Sequence, residues 1–364
     1  MTDSYDIAVI GGGIMGCSTA LRLAEGGMWP IVLDQGDLGQ GASGVNAGTL
    51  SLQIKRVKLM PYALRGHRAW EAMGDAIGFR KTGGYTLAFT DGEAELLQER
   101  QTLKSEAGAP IEFVTRKALR EAAPNLSHKI IAASYCAADG YANSSLTGQY
   151  YRGRLRDAGI AYRERCGAMA VRREAGRFAV ETPAGTMHAR RLLLAAGAWL
   201  KPVAAFLGVE LPVRVRINTV SVTERMPPLI HHIVGHATGL LTMKQKPNGT
   251  VLIGGGWQGR GTPQEGRGEV TAETVAPNLA LAQFALTPLK EARILRSWTG
   301  FEANVPDFYP LAGPLPGIED AFVLGCVRGG YTIGPFIGSL MGDLILGREP
   351  ELPLFDPGRD FDED

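Results

Sequence analysis

Three spaced glycines near the N-terminus constrain this fold more than any other feature of the sequence. The segment Gly11-Gly-Gly13-Ile-Met-Gly16 follows a buried-strand pattern at residues 6–10 and precedes a helical pattern at residues 17–25. A second strand pattern at residues 31–33 leads into Asp34, the acid expected about 20 residues after such glycines. The sequence therefore predicts that the chain opens with a βαβ unit.

The spacing of these glycines predicts a dinucleotide site. Gly11 permits a tight turn, Gly13 lets the backbone approach a pyrophosphate, and Gly16 lets the helix pack closely on the strand. The N–H groups at the helix N-terminus attract phosphate, and the Asp34 carboxylate can accept hydrogen bonds from ribose hydroxyls. The predicted set also contains the flanking residues Ile14, Met15 and Gln35. A glycine-rich turn without a ligand is the alternative.

The composition narrows the class of protein. With 364 residues, of which 45% are hydrophobic, the chain can bury a sizeable core, and two interleaved domains are expected. A net charge of +1 without a long run of like charge argues against nucleic acid or anionic lipid as a partner. Since neither a secretory leader nor a membrane span is evident, we expect a cytoplasmic protein without an integral membrane segment.

Cysteine and histidine positions predict no metal site. The four cysteines form no CxxC pair, which fits a reduced compartment: Cys17, Cys136, Cys166 and Cys326. Three histidines are closely spaced in a loop-like stretch and are interpreted as surface residues: His231, His232 and His236.

Strand and helix patterns indicate that the chain leaves the first unit and later returns to it. A strand pattern at residues 83–89 indicates a different sheet, and the apolar strand at residues 192–196 marks the return. Residues 214–297 leave the first unit a second time and contain segments in which apolar and polar residues alternate. This alternation suits an antiparallel sheet with one covered face. A closing strand at residues 321–324 and a helix at residues 334–346 complete the first unit. We predict an α/β fold with an α+β insertion.

Later segments indicate which dinucleotide is bound. Gly41-Ala-Ser-Gly-Val-Asn46-Ala-Gly48 follows the second strand, residues 192–199 form a strand and turn, and residues 325–335 precede the last helix. With residues 296–300 and 307–310, these segments resemble the D-amino-acid oxidase, glycine oxidase and sarcosine oxidase family of FAD enzymes. The resemblance covers nearly the whole chain and rests on the order and spacing of the segments.

The resemblance implies a Rossmann-like FAD-binding domain interleaved with an antiparallel-sheet substrate-binding domain. The FAD-binding domain is expected at residues 1–48, 143–211 and 301–364, and the substrate-binding domain at residues 49–142 and 212–300. FAD is expected to be non-covalent, because no cysteine clearly matches the attachment site of some relatives. Cys326 is interpreted as a packed thiol.

The resemblance also carries cofactor contacts onto numbered residues. Residues near the pyrophosphate and isoalloxazine are expected to be Ser43, Asn46, Ala47 and Gly48. Ala168 is expected near adenine. The turn after the strand at residues 192–196 is expected beside the dinucleotide and contains Ala196, Gly197 and Trp199. Backbone N–H groups of the last helix are expected to face the flavin pyrimidine, where negative charge accumulates on reduction: Gly330, Tyr331, Thr332 and Ile333.

In this family a hydride passes from the carbon that bears a neutral amine to flavin N5, and the imine then hydrolyses. Positioning is therefore expected to matter more than a nucleophile. The substrate is expected to be an amino acid or secondary amine, such as an opine, D-hydroxyproline or sarcosine.

One departure from the family bears on the substrate. Relatives that oxidise simple amino acids often carry an arginine where this chain has Glu302, which can instead meet a cationic group or serve as a solvated or structurally paired carboxylate. Arg328 becomes the first candidate for the substrate carboxylate and Lys244 the second. Tyr331 is expected either to bound the pocket or to pack, and Thr242 to share a strand face with Lys244.

A second departure concerns the electron acceptor. Leu252 occupies the position of the lysine that assists direct oxygen use in sarcosine oxidases. The chain therefore looks most like the FAD-bearing beta subunit of heteromeric amino-acid or opine dehydrogenases, and a partner subunit with a second flavin or an iron–sulfur centre is expected. The alternatives are a self-sufficient oxidase that releases hydrogen peroxide and a flavin-bound electron-relay or assembly subunit without its own substrate.

Overall fold

The computed structural model of the protein describes residues 4–325 and 327–361. The described residues form two compact units, each assembled from separate stretches of chain. The first unit draws on Met1–Val45, Ser144–Arg216 and Phe301–Asp364, and the second on Asn46–Asn143 and Ile217–Gly300. The expected domain boundaries lie close to these limits. The largest difference is between the expected boundary at residue 211 and the observed boundary at residue 216.

The described chain opens with alternating strands and helices and later contains runs of consecutive strands. The strands are β1 Ser4–Ile10, β2 Pro30–Leu33, β3 Thr49–Leu50, β4 Arg80–Lys81, β5 Gly84–Ala88, β6 Ile111–Val114, β7 Ala132–Cys136, β8 Gly140–Tyr141, β9 Ala161–Arg163, β10 Ala170–Glu174, β11 Arg177–Thr182, β12 Gly185–Leu194, β13 Arg214–Arg225, β14 Ile233–His236, β15 Thr242–Gln245, β16 Thr250–Gly254, β17 Arg260–Thr262, β18 Arg267–Glu269, β19 Ile294–Asn304, β20 Leu311–Pro314 and β21 Ala321–Gly325. The α-helices are α1 Ile14–Glu25, α2 Ala42–Val45, α3 Met60–Met73, α4 Asp91–Glu106, α5 Arg116–Ala122, α6 Thr147–Asp157, α7 Leu200–Ala205, α8 Ala272–Ala285 and α9 Gly330–Ile345.

The first unit is built on a parallel sheet. Strand β1 lies between β2 and β12, β9 pairs with β2, and β21 pairs with the end of β12, all in parallel. Their apolar runs suit strands that are covered on both faces. Strand β12 begins earlier than expected because residues 185–189 pair antiparallel with β11, which adds a hairpin to the sheet.

Helices α1 and α9 pack together in the first unit. A methyl group on Gly338 of α9 would lie 2.7 Å from the Ser18 Cβ of α1, so the glycine allows the two helix backbones to approach. The hydroxyl of Thr19 donates to the Gly338 carbonyl across this contact, at 2.9 Å. The two helices are therefore in direct contact at Gly338.

The second unit contains an eight-stranded sheet in the order β19-β13-β16-β15-β14-β5-β7-β6. From β13 to β6 the pairs are antiparallel except that β14 pairs with β5 in parallel. One face packs on α8 through a core of buried apolar side chains, among them Leu87, Val234, Met243, Ile253, Ala282 and Leu286. The α/β class with an antiparallel second unit, predicted from sequence, is confirmed.

Arg359 holds the last described residues against the first unit. Arg359 donates to both carboxylate oxygens of the buried Asp307, at 2.7 and 3.0 Å. Within residues 4–325 and 327–361, no helix has the length and apolar character needed to cross a membrane.

Candidate functional site

The predicted glycine loop connects β1 to α1. Gly11 has φ +119°, and a Cβ built there would lie 2.3 Å from the Ala195 carbonyl oxygen at the end of β12. No L side chain tolerates both conditions, so glycine is required here. The loop therefore packs directly on the backbone of the neighbouring parallel strand.

Helix α1 begins at Ile14, within the glycine motif and three residues before the start of its apolar periodicity. Gly13 is its N-cap and supplies no side chain to cap the first turn. The Ile14 N–H donates to the Ser43 hydroxyl at 3.0 Å, which brings Ser43 to the loop across 29 residues of sequence. Met15 and Gly16 follow in the first turn, so a helix N-terminus lies at the predicted pyrophosphate position.

Asp34 lies at the end of β2, as predicted, and is held by the backbone. Its two carboxylate oxygens accept hydrogen bonds from the N–H groups of Gly12 and Gly36, each at 2.7 Å. Burial raises the pKa of Asp34, and these two hydrogen bonds oppose that effect. The carboxylate thus stabilises the backbone of the glycine loop. This is a second role beside the predicted contact with ribose hydroxyls.

Gln35 is exposed and lies beside the segment that contains Ala168. A Cβ on Gly167 would meet the Gln35 Cβ at 2.8 Å, and Ala168 itself is half-buried. The structure therefore brings Gln35, a predicted cofactor-binding residue, next to the segment of Ala168, which is predicted near adenine. They are 133 positions apart in sequence, which is the difference between 168 and 35.

The segment from Asn46 to Gly48 belongs to the second unit, whereas the expected boundary placed it in the first. The Asn46 side chain accepts from the Gly48 N–H at 2.6 Å, and Gly48 has φ +72°. Ala47 lies between them and is half-buried. The Gly48 carbonyl accepts from the Ala142 N–H, so this turn is hydrogen-bonded to the residue that follows β8.

The turn after β12 leaves space beside its backbone. Ala195 donates to the Ile10 carbonyl at 2.8 Å, and Ala196 follows half-buried. Gly197 has φ +54°, and no atom lies within 4 Å of the position its Cβ would take. Trp199 packs edge-on against Phe301, with ring centroids 5.7 Å apart.

Helix α9 begins at Gly330, four residues before the start expected from its apolar pattern. Gly329 is the N-cap with φ +67°, and its N–H donates to the Glu302 carboxylate at 2.9 Å. Thr332 and Ile333 are buried in the first turn. Glu302 is therefore a structurally paired carboxylate, one of the alternatives open from sequence.

Tyr331 packs within the first unit. Its hydroxyl lies 3.2 Å from the Thr147 hydroxyl, and burial raises the Tyr331 pKa. The tyrosine therefore joins the start of α9 to the start of α6. Cys326, which precedes this turn, lies outside the described residues.

Arg216 is a site residue that the sequence reasoning missed. It is half-buried at the start of β13, and its pKa is lowered by burial and by the positive charge of Arg328, while Glu302 has the opposite effect. Arg328 is exposed in the turn before α9. The alternation in Arg214-Val-Arg216 was the available signal, because it places both arginines on one strand face. Two arginines and one glutamate thus interact beside the start of α9.

In the second unit, Thr49 connects the two candidate residues of β15. The Lys244 amine donates to the Thr49 hydroxyl at 2.5 Å, and the Thr242 hydroxyl lies 3.3 Å from the same oxygen. Lys244 and Thr242 therefore point to the same side of the strand, as alternation predicts. Lys244 is 1% exposed, and burial is the main reason that its pKa falls well below the usual value.

Leu252 pairs directly with Lys244 across β15 and β16. Directly paired residues of antiparallel strands project from the same face of the sheet. The face that carries leucine at residue 252 therefore carries a lysine on the neighbouring strand.

The predicted histidine cluster is dispersed. His236 lies on β14, where its Nε2 is 3.2 Å from a Glu93 carboxylate oxygen and its Nδ1 is 2.7 Å from the Thr238 hydroxyl. The His232 ring instead packs against Tyr85, at 4.9 Å between ring centroids. His236 is buried rather than at the surface, with a hydrogen bond between its Nδ1 and the Thr238 hydroxyl.

Comparison with known proteins identifies the family. The sequence profile of the FAD dependent oxidoreductase (DAO) family matches residues 6–344. The chain belongs to this family. It is therefore an FAD-dependent oxidoreductase, as the later glycine and strand segments indicated.

Members of the DAO family resemble this chain over nearly its full length. One subunit of the opine oxidase of Rhizobium meliloti is 27% identical over 339 residues, covering 89% of each chain. Glycine oxidase of Geobacillus kaustophilus is 27% identical over 368 residues, covering 97% of this chain and 96% of the relative. The crystal structure of glycine oxidase from Geobacillus kaustophilus has a TM-score of 0.89 and 25% identity, and covers 99% of this chain and all of that one.

The first unit of this DAO family member fits FAD on its own geometry. Gly11 and Gly13 form a turn without bulky side chains, the N-cap Gly13 supplies no side chain, and Gly197 adjoins open space. The Ile14 N–H is held by the Ser43 hydroxyl, and the N–H groups of Met15 and Gly16 in the first helical turn suit a pyrophosphate. The residues present are those that a dinucleotide needs.

Proposed function

We propose that this protein oxidises the C–N bond of an amino acid or secondary amine of the opine, D-hydroxyproline or sarcosine type. FAD, when bound, accepts the hydride and so supplies the oxidising power. The single observation that carries the proposal is the exposed Arg328 guanidinium, held beside Arg216 and Glu302 at the start of α9. A DAO family fold with an available arginine suits a substrate that has a carboxylate next to its amine.

Arg328 is the proposed carboxylate anchor. Its guanidinium is exposed, and its planar fork matches two carboxylate oxygens. Glu302 accepts from Gly329, the residue after Arg328, so it limits the movement of the turn from which Arg328 projects. Arg216 adds a second positive charge, and the three side chains together leave one positive charge to balance a substrate carboxylate.

The proposed electron acceptor is a partner subunit. The opine oxidase relative is named as one subunit of that enzyme, and it matches most of this chain. We propose that this partner carries a second flavin or an iron–sulfur centre, to which the electrons pass.

A substrate screen by anaerobic flavin bleaching tests the proposal. The purified FAD-loaded protein is mixed without oxygen with opines, D-hydroxyproline, sarcosine and simple amino acids, and the flavin absorbance is followed. Bleaching by an amine that carries a carboxylate is expected, with slow return of colour in air. No bleaching across the panel would contradict the proposal and support an electron-relay or assembly subunit.

A self-sufficient oxidase is the second candidate, and two observations favour it. Glycine oxidase matches the chain over nearly its whole length, and Lys244 lies on the same sheet face as Leu252. Rapid reoxidation of the bleached flavin by air, with stoichiometric hydrogen peroxide, would select this candidate. The buried Lys244 has a lowered pKa, so it supplies less positive charge for oxygen than an exposed lysine does.

A further inference from the structure

The loop that follows β2 packs against the glycine loop of the first unit. The Leu38 side chain is 1% exposed, and a Cβ on Gly12 would lie 2.1 Å from its Cδ2. The Gly39 N–H donates to the Gly12 carbonyl at 2.9 Å, and Asp34 accepts from the Gly12 N–H. Residues 34–39 therefore contact Gly12 through a carboxylate, an apolar side chain and a backbone N–H.

Glu164, the residue after β9, is hydrogen-bonded to the backbone of the same loop. Its Oε1 accepts from the Leu38 N–H at 2.7 Å, across 126 residues of sequence. The next residue, Arg165, donates its backbone N–H to the Gly36 carbonyl at 2.9 Å. The loop is therefore bonded both to the glycine loop and to the end of β9, and at Leu38 a side chain makes the bond.

Arg152 of α6 fixes the Glu164 carboxylate in turn. The Arg152 Nε lies 3.2 Å from each carboxylate oxygen, its Nη2 lies 2.5 Å from Oε1, and the two side chains are 36% and 24% exposed. The Arg152 guanidinium is the main reason that the pKa of Glu164 is lowered, and the Leu38 N–H acts in the same direction. Glu164 is therefore negatively charged at neutral pH, and charge-assisted hydrogen bonds of this kind are stronger than neutral ones.

Arg152 also offsets like charges around the loop. Burial raises the pKa of Asp34, and the negative charges of Glu164 and Asp37 add to this effect. Arg165 and, more weakly, Arg152 lower the pKa of Asp37. Without Arg152, less positive charge would offset the repulsion between Asp34 and Glu164, the two carboxylates that hold the loop.

We propose that Glu164 and Arg152 are positioning residues for FAD, which keep the glycine loop in the conformation that its predicted pyrophosphate contact requires. Glu164 acts through Leu38, and Leu38 acts through Gly12. A loop that is fixed before the cofactor binds loses less conformational entropy on binding, so the cofactor binds more tightly. The inference concerns the cofactor of this FAD-dependent oxidoreductase and does not depend on which amine the enzyme oxidises.

The first test measures how tightly each variant holds FAD. The FAD-loaded protein is diluted in steps, and the released FAD is followed by its fluorescence. Glu164→Ala should raise the dissociation constant of FAD roughly 10-fold, as expected from loss of a charged hydrogen-bond acceptor. Arg152→Met should raise it several-fold, because the Glu164 carboxylate is no longer held. A wild-type dissociation constant in both variants would overturn the proposal.

Asp343→Ala is the matched control. Asp343 of α9 forms an ion pair at 2.7 Å with Arg22, which lies in the last turn of α1, and the two side chains are 14% and 33% exposed. This pair is similar in burial to Arg152 and Glu164 but lies at the end of α1 opposite the glycine loop. Asp343→Ala should therefore keep the wild-type dissociation constant. An equal loss of FAD in Asp343→Ala would overturn the proposal, because the effect would not be specific to the loop.

Glu164→Gln separates the hydrogen bond from the charge. The amide oxygen still accepts from the Leu38 N–H, so this variant should hold FAD with a dissociation constant within a few-fold of the wild-type value. An equal loss in Glu164→Gln and Glu164→Ala would contradict a role that acts through Leu38.

A second measurement separates positioning from stability. Urea unfolding is recorded for the apoprotein and for the protein in a fixed excess of FAD, which stabilises the folded state more when it binds more tightly. The rise in the unfolding midpoint caused by FAD should be smaller in Glu164→Ala and Arg152→Met than in the wild type. If both substitutions lower the two midpoints and leave the rise unchanged, the pair has a structural role alone and the proposal is wrong.

Discussion

The Glu302 carboxylate accepts a hydrogen bond from the Gly329 N–H, 2.9 Å away, and so caps the start of α9. The contact joins the end of β19 to the turn that carries Arg328. Glu302 therefore holds the turn in which Arg328 lies, and it interacts electrostatically with Arg216.

Two substitutions at Glu302 should separate its hydrogen bond from its charge. Glu302→Ala is expected to lower the free energy of unfolding by about 1 kcal/mol, because the Gly329 N–H loses its acceptor. Glu302→Gln keeps an acceptor and should retain most of the stability, while binding carboxylates several-fold more tightly because a negative charge near the arginines is gone. Urea unfolding and titration with a non-oxidised carboxylate measure the two effects. Equal destabilisation by both variants would contradict this role.

Arg328→Ala should weaken binding of a carboxylate ligand roughly 10- to 100-fold, as expected from loss of a charged hydrogen-bond donor. Arg328→Lys should recover only part of this loss, because an ammonium lacks the planar fork. Dissociation constants come from changes in the flavin spectrum on titration. Arg348→Ala, at the other end of α9, is the control and should bind normally. Unchanged affinity in Arg328→Ala would rule out the arginine as the anchor.

Gly11→Ala should abolish FAD retention. The new Cβ would lie 2.3 Å from the Ala195 carbonyl oxygen in a backbone conformation with φ +119°, so the loop must move. The flavin content of purified protein, measured from its absorbance, is expected to fall below about a tenth of the wild-type value. Gly41→Ala introduces its Cβ into open space at an ordinary φ and should purify with full flavin. A Gly11→Ala protein that stays yellow would contradict this prediction, because it would show that the loop accommodates a side chain at residue 11 and still binds FAD.

Lys104 should make stability depend on pH. It donates to the Gln53 carbonyl in the interior of the second unit, and burial lowers its pKa from 10.5 to about 8. Between these values the unfolded chain binds a proton that the folded protein has lost, so stability rises with pH across this window. The gain amounts to about 3 kcal/mol between pH 8 and pH 10.5.

Lys104→Met should remove this share of the pH dependence. Urea unfolding at about pH 7.5 and about pH 10 gives, for each protein, the difference in the free energy of unfolding between the two pH values. Lys117→Met, at a side chain that is 87% exposed, is the control and should follow the wild type. Parallel curves for wild type and Lys104→Met would show that Lys104 has an ordinary pKa in the fold.

Local patterns predicted the parts of the fold that depend on nearest neighbours in sequence. The βαβ opening, the apolar strand that returns to the first unit, and the last helix all follow from short periodicities and glycine positions. Helices α1 and α9 start earlier than their apolar patterns suggest, because Gly16 and Gly330 interrupt the apolar pattern in the first turn of each helix. The expected boundary at 48 differs because tertiary contacts, and not composition, place Asn46 to Gly48 in the second unit.

The sequence by itself determined the glycine loop of Gly11 to Gly16, because a backbone that must adopt positive φ and approach another strand admits glycine alone. It also determined the family, through the order of motifs along the chain. Only the tertiary structure decided that Lys244 meets Thr49 and that Arg216 lies near Arg328. These side chains are far apart in sequence, and their charge states depend on burial and on neighbours that only the folded chain brings together.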